Sequence, residues 1–207
     1  MKRPSIDPDC FSLNNAVDLL LKNEFDKYRR EQKAHPIMIK NKIEAVPLVH
    51  ESFPAWRNYK SGGIRFRDDA NGIELYGIVD DVWINPQQEF IIVDYKATAK
   101  QGSKALNLSN SWNSSNKRQM SFYAFIFKKC GYTIHHTGYF LYSIADNNKP
   151  ALNEKLEFET RVVSYELDDT WVEATLQDIR YCLDQRMVPV SAATCEVCRF
   201  GINVKVN

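Results

Sequence analysis

The sequence predicts an α/β protein, because helix-like and strand-like patterns follow one another along a chain of 207 residues. The first pattern is an amphipathic helix from residue 13 to about 33. Two strand-like runs, at residues 74–84 and 89–97, predict a hairpin near the middle of the chain. The length suits a single domain spanning residues 1–207, and no linker rich in Gly, Pro or Ser divides it.

The first helix carries acidic residues close to its apolar face. Ser12 is a candidate N-cap. Glu24 falls within the apolar stripe and Asp18 lies at its edge, and an unpaired carboxylate on a buried face is costly. Such an acid either pairs with a nearby Arg or Lys or points into a polar site, and its angle favours Glu24 over Asp18 for the second role. The stripe comprises Leu13, Val17, Leu20, Leu21, Phe25 and Tyr28.

The remaining elements follow from periodicity and turn residues. Residues 101–116, rich in Ser, Asn and Lys, predict a mobile loop over the hairpin. A second amphipathic helix is expected from residue 118 to about 129. A last helix, capped by Asp168 or Asp169, is expected to reach about residue 186. Further strands are predicted near residues 38–46, 63–67, 138–144 and 156–165.

The central hairpin is expected to gather three charged residues. Asp80 ends one strand-like run, Asp94 and Lys96 close the next, and residues 85–89 suit a hairpin loop. Side chains alternate along a strand, so Asp94 and Lys96 share a face while Tyr95 points the other way. Carboxylate oxygens suit a hard divalent ion such as Mg²⁺. Such an ion can stabilise charge on a phosphodiester and lower the pKa of a bound water.

Two more features lie near these charges. Asp81 adjoins Asp80 but is expected on the opposite side of the strand, at the surface or behind the site rather than as a ligand. Gln119 and Tyr123 are four positions apart, so they are neighbours on one helical face. Ordinary helix packing is the alternative explanation for that pair.

The net charge of +1 conceals an uneven distribution of charged residues. Residues 96–129 contain seven basic side chains and no acidic one, whereas from residue 154 onward acids outnumber Lys and Arg ten to six. A local basic patch can bind a polyanion because phosphate contacts release counterions. The alternative is a solvated lysine-rich loop. The candidate nucleic-acid contacts are Lys100, Lys104, Lys117 and Arg118.

The composition favours a cytoplasmic protein. No apolar run approaches the roughly 20 residues of a membrane span, and the first residues lack the apolar core of a signal peptide. Five cysteines with only one close pair do not suit a secreted disulfide framework. A membrane partner is therefore not expected.

Three motifs in order resemble those of a known family. They are Gly77-x-x-Asp80, then Asp94-x-Lys96, then Gln119-x-x-x-Tyr123. Together they resemble the PD-(D/E)XK nuclease superfamily, and more narrowly its RecB-like branch, which includes CRISPR-associated exonucleases. The similarity extends from the first helix to Cys195-x-x-Cys198 and so covers nearly the whole chain.

The resemblance implies a restriction-endonuclease-like core, in which α-helices flank a mixed central β-sheet. It implies that Asp80, Asp94 and the backbone carbonyl of Tyr95 bind Mg²⁺ or Mn²⁺. Lys96 would act beside the attacking water, and Gln119 and Tyr123 would lie next to the site. An acid on the first helix, Glu24 in preference to Asp18, would complete it.

The resemblance also raises the question of a 4Fe-4S cluster. In many RecB-like exonucleases a C-terminal Cys-x-x-Cys combines with N-terminal cysteines, and such a cluster normally needs four thiolates. Here Cys195 and Cys198 form a half-site, and the ligand set looks incomplete, as if an N-terminal Cys-containing segment were lacking. Cys10 is a candidate third ligand, whereas Cys130 and Cys182 are expected to be small core residues.

The leading hypothesis is a metal-dependent DNA nuclease, an exonuclease that acts on single strands or ends in repair, recombination or defence. The alternative is a catalytically weak or inactive nucleic-acid-binding accessory protein with the same fold. A structural hairpin with chance motif matches is the third hypothesis.

Overall fold

A mixed five-stranded sheet forms the centre of the protein, which is described here from a computed structural model covering residues 12–99, 111–195 and 198. The strand order is β1-β4-β5-β6-β7. The β5–β6 pair is parallel and the other pairs are antiparallel. The predicted α/β fold with a mixed, helix-flanked sheet is therefore confirmed. The strands are β1 (Val46–Pro47), β2 (Ile64–Asp68), β3 (Ile73–Gly77), β4 (Asp81–Ile84), β5 (Phe90–Ala99), β6 (Thr137–Ala145) and β7 (Phe158–Glu166).

Helices cover both faces of this sheet. Residues on α1 pack against one face, around Trp83 and Tyr95. Residues on α4 and α5 pack against the other, around Ile92 and Phe140. No helix among the described residues is long and apolar enough to cross a membrane. The helices are α1 (Ser12–Glu31), α2 (Pro36–Lys40), α3 (Phe53–Trp56), α4 (Ser111–Lys129) and α5 (Trp171–Asp184), with a 3₁₀ turn at Tyr59–Ser61.

The strand predicted at residues 74–84 is two strands in the structure. β3 pairs with β2 in a separate two-stranded sheet, whereas β4 pairs with β5 in the central sheet. The chain crosses between the two sheets at residues 78–80, where Val79 is fully buried and its N–H donates to the carbonyl of Trp56 at 3.2 Å. Asp80 therefore lies at the point where the chain enters the central sheet.

Two other predictions at the sequence level are wrong. The strand predicted near residues 38–46 is absent apart from Val46, where β1 begins. Instead α2 begins at Pro36, whose ring suits the first helical turn, and ends at Lys40. His35 caps this helix by accepting a hydrogen bond from the N–H of Ile37 at 3.1 Å. The helix predicted to begin at residue 118 begins at Ser111, so the end of the predicted loop is helical.

The buried face of α1 is narrower than predicted. Leu13 and Leu20 are exposed. The buried residues of this helix recur every four positions, and the last of them is a cation. They are Val17, Leu21, Phe25 and Arg29.

Arg29 anchors α1 to the sheet through a buried ion pair. Its Nη2 donates to Oδ1 of Asp81 at 2.5 Å, and its Nη1 donates to the carbonyl of Leu48 at 2.6 Å. The guanidinium also stacks 4.0 Å from the ring centroid of Phe53. Burial raises the pKa of Asp26, which accepts hydrogen bonds from Arg29 and Arg57, but these two cations outweigh burial and its pKa is lowered. One side chain thus joins α1, α3 and β4.

We expect Arg29→Ala to lower the free energy of unfolding by about 3–5 kcal/mol, because it leaves the Asp81 carboxylate buried without its cation. The exposed neighbour Arg30 provides the matched control, and Arg30→Ala should cost less than about 0.5 kcal/mol. Urea denaturation of the three proteins measures both values. Equal stability of the two variants would contradict the anchoring role.

Candidate active site

The predicted hairpin is present and brings Asp80 and Asp94 together. β4 and β5 pair with Asp81 opposite Val93, and continuing that register places Asp80 opposite Asp94. The hydrogen bond from the N–H of Asn85 to the carbonyl of Glu89, at 3.2 Å, closes the loop. Adjacent strands lie about 4.8 Å apart, so the two acids occupy neighbouring positions where β4 begins beside the central strand β5.

Tyr95 contacts both neighbouring acids at the start of β4. Its N–H donates to Oδ2 of Asp80 at 2.9 Å, and its hydroxyl donates to Oδ2 of Asp81 at 2.6 Å. Burial and then the charge of Asp81 raise the pKa of Tyr95 well above its ordinary value. Asp81 is only 1% exposed. It is not the surface residue that one reading of the sequence allowed, but a buried support behind the site.

Asp94 is the most perturbed acid of the site. It is only 4% exposed, and burial raises its pKa to about 7. Lys96 opposes this shift, whereas the negative charges of Asp80 and Asp18 add to it. The ammonium of Lys96 forms an ion pair with Oδ2 of Asp94. That oxygen is buried and has no partner in hydrogen-bond geometry among the described residues.

The first helix contributes Asp18, not Glu24, to this site. Lys22 Nζ lies 2.7 Å from Oδ2 of Asp18 and 3.2 Å from Oδ1 of Asp80, so it bridges the helix and the hairpin. Burial lowers the pKa of Lys22, but attraction to Asp80 and Asp18 outweighs burial and raises it. Glu24 instead accepts from Nε2 of His35 at 2.8 Å and is half exposed. The structure therefore places Asp18 beside the hairpin and Glu24 beside His35.

An open cavity of about 320 Å³ lies between the start of α1 and the hairpin. It contains carboxylate groups, which can bind a cation, and an ammonium group, which can bind a polyanion. Its lining residues are Asn14, Asn15, Val17, Asp18, Leu21, Asp80, Tyr95, Lys96 and Ala97.

Gln119 and Tyr123 lie next to the hairpin from the other face of the sheet. Nε2 of Gln119 donates to the Tyr123 hydroxyl at 3.0 Å. Burial and then the charges of Asp94 and Asp80 raise the pKa of Tyr123. The Tyr123 ring also explains the glycine of the first motif, because a Cβ at Gly77 would lie 2.6 Å from Cδ1 of that ring. The three motifs are thus in contact or electrostatic range of one another.

The residues present fit a divalent ion of the Mg²⁺ type. Asp94 offers a buried carboxylate paired with Lys96, and Asp80 adds a second carboxylate at the neighbouring position. Mg²⁺ keeps several waters and is held by one or two carboxylates rather than by a protein cage. In the described ranges, no three His, Cys, Asp or Glu side chains are grouped so that they could hold a metal ion by themselves.

The candidate iron–sulfur ligands are only partly described. The thiols of Cys195 and Cys198 are in contact, and a hydrogen bond involving Cys195 raises the pKa of Cys198. Cys10 lies outside the described residues. Cys130 and Cys182 are exposed, so the prediction that they are core residues is wrong.

The candidate basic contacts divide between described and undescribed parts of the chain. Lys117 and Arg118 lie on α4, with Lys117 Nζ 5.5 Å from the centroid of the Tyr165 ring. Lys100 and Lys104 lie outside the described residues.

Two residues important to the site, Lys22 and Arg29, were missed at the sequence level. Lys22 follows Asp18 by four positions, a spacing that places the two on one helical face and could have indicated the pair. Arg29 sits at the same spacing after Phe25 on the buried stripe, where a cation requires a partner. The burial of Asp81 depends on that distant partner, and no local signal indicates it.

Comparison with known proteins places the chain in a family. The model of the PD-(D/E)XK nuclease superfamily matches residues 7–202, so the chain belongs to this superfamily of nucleases. Among curated proteins, none matches. A solved structure described as "Crystal structure of SSO0001" is similar over 91% of this chain and 80% of that chain, with 13% sequence identity and a TM-score of 0.34.

We expect Gly77→Ala to lower the free energy of unfolding by about 1–3 kcal/mol, because its methyl group would overlap the Tyr123 ring. In a Tyr123→Leu background, which lacks the ring, the same change should cost at least 1 kcal/mol less. Urea denaturation of the four proteins gives this double-mutant cycle. Additive costs would show that the glycine and tyrosine motifs are not coupled through this contact.

Proposed function

We propose that this protein is a metal-dependent nuclease that hydrolyses phosphodiester bonds in DNA. The observation that carries the proposal is the convergence of Asp80 and Asp94 on neighbouring strand positions, with Lys96 paired to Asp94. Membership of a nuclease superfamily supports the same chemistry.

Asp80, Asp94 and the backbone carbonyl of Tyr95 would hold Mg²⁺ or Mn²⁺. When bound, such an ion stabilises negative charge on the reacting phosphate and makes a coordinated water more acidic. The protein contributes a fixed pair of carboxylates: the Tyr95 N–H orients Asp80, and burial on β5 restricts Asp94. Asp18 adds a third negative charge at the edge of the cavity.

Lys96 is the residue that we assign to the attacking water and the phosphate. Its side chain is one-fifth exposed at the cavity while its ammonium contacts Asp94, so it can reach both solvent and the acid. A compact ammonium can orient a water and offset charge on a five-coordinate phosphorus transition state. Gln119 and Tyr123, joined by their hydrogen bond, would position the DNA strand beside it.

The finer function that we propose is that of an exonuclease of the RecB-like type, acting in repair, recombination or defence. The order of the three motifs supports this assignment. The acid-free basic stretch from residue 96 to 129 supports a polyanionic substrate.

We expect Asp94→Asn and Lys96→Gln each to lower the rate of DNA cleavage by about 100-fold or more, because each removes a group that acts on the reacting atoms. Cleavage of end-labelled single- and double-stranded DNA is measured with Mg²⁺, with Mn²⁺ and with EDTA. Asp69→Asn and Lys155→Gln remove the same charges at exposed positions and should cleave at the wild-type rate.

The same assay separates the proposal from its alternatives. Undiminished cleavage by both Asp94→Asn and Lys96→Gln would overturn the assignment of the site. If the wild-type protein binds DNA but does not cleave it with either Mg²⁺ or Mn²⁺, it is instead the inactive accessory protein.

A further inference from the structure

A second groove lies on the face of the sheet opposite α1, between α4 and the start of α5. Its volume is about 430 Å³, and it opens widely to solvent. Its walls combine aromatic rings, a guanidinium and amide and hydroxyl groups, and they include no carboxylate. The lining residues are Ser115, Arg118, Gln119, Phe122, Tyr123 and Trp171.

Two aromatic side chains in this groove are held in place and remain partly exposed. Phe122 and Trp171 both pack against the core on one side and are accessible on the other. The indole N–H of Trp171 donates to the carbonyl of Asp168 at 2.9 Å, which fixes the orientation of the ring. A pre-oriented aromatic face loses little conformational entropy when a flat ligand stacks on it.

The groove also carries positive charge. Arg118 is exposed and lies one helical turn before Phe122, so both project from the same face of α4. Within the described part of the chain Arg118 forms no ion pair. Two acids just before α5 are engaged elsewhere, since Asp169 pairs with Lys128 at 2.9 Å and Asp168 accepts from the Thr170 hydroxyl at 2.6 Å.

Tyr123 links the groove to the two acids of the candidate active site. Gln119 and Tyr123 line the groove, and Tyr123 also packs on Gly77 and lies within electrostatic range of Asp80 and Asp94.

We propose that this groove is a subsite for one unpaired nucleotide of a single-stranded DNA substrate, and this proposal rests on the proposed nuclease function. The base stacks on Trp171 and Phe122, and Arg118 contacts an adjacent phosphate. Stacking of this kind tolerates any base, because every base has a π-face. Bases within a duplex have their faces covered by neighbours, so the subsite selects single strands over paired DNA.

Fluorescence anisotropy of a labelled oligothymidylate and of a duplex of equal length, both in EDTA, tests the subsite without cleavage. Trp171→Leu keeps an apolar side chain but removes the ring, and it should weaken binding of the single strand about 10-fold. Trp171→Phe keeps an aromatic face and should bind within about 3-fold of wild type. Duplex binding should be unchanged in both variants.

Arg118→Gln provides a second test at an exposed position where folding is not at risk. It should reduce the slope of log K against log salt for the single strand by about 0.7, the value for one lost phosphate contact. Thermal unfolding of each variant shows whether Trp171→Leu keeps its fold; if it does not, the Arg118→Gln slope decides the question.

The subsite proposal is overturned if folded Trp171→Leu binds the oligothymidylate as tightly as wild type, or if single-strand and duplex binding fall equally. It is likewise overturned if Arg118→Gln leaves the salt slope unchanged. A failure of the nuclease proposal is distinct, because it shows as absent metal-dependent cleavage by wild type, whereas these measurements report binding alone.

Discussion

The buried ion pair between Arg29 and Asp81 is the interaction on which the candidate site depends. Asp81 receives hydrogen bonds from Arg29 and from the hydroxyl of Tyr95, so its side chain is fixed toward α1. Asp80 precedes β4. Its Oδ2 accepts from the backbone N–H of Tyr95, and its Oδ1 lies 3.2 Å from Lys22 on α1. Tyr95 thus joins the buried charge pair to the first acid of the site.

This ion pair matters more for register than for net stability. Burying two charges costs much of what their attraction returns, so such pairs contribute little overall while both partners are present. Asp80 and Asp81 are chemically identical neighbours, and a one-residue slip of β4 against β5 would exchange them. Such a slip would also move the carboxylate of Asp81 away from Arg29. The pair therefore favours the one register that places Asp80 opposite Asp94.

The same anchor positions the first helix over the site. Arg29 lies eleven positions, about three turns, after Asp18, so fixing it to β4 fixes the direction of the helix toward the cavity. Lys22 then reaches both Asp18 and Asp80. Three carboxylates and two ammonium groups share this region. Burial raises the pKa of Asp94, the charges of Asp80 and Asp18 add to the rise, and Lys96 opposes it.

The sequence was sufficient for the features that depend on local pattern. Alternation and the loop at residues 85–89 predicted the β4–β5 hairpin, and helical spacing predicted the contact between Gln119 and Tyr123. Sequence could not decide between Asp18 and Glu24, because the two flank the buried stripe of α1 and packing sets which of them faces the hairpin.

Long-range contacts account for the other differences. The split of residues 74–84 into two strands depends on pairing with β2, which no property of that segment reveals. The burial of Asp81 likewise depends on a cation 52 positions away. The exposure of Cys130 and Cys182 shows that apolar spacing alone does not establish which helix face is covered.

Anomalous diffraction from crystals grown with Mn²⁺ would test the central claim most directly. The account predicts an anomalous peak bonded to one carboxylate oxygen of Asp80 and one of Asp94, with Lys22 displaced from Asp80. No peak at these acids in saturating Mn²⁺, with Lys22 still bridging Asp18 and Asp80, would contradict it.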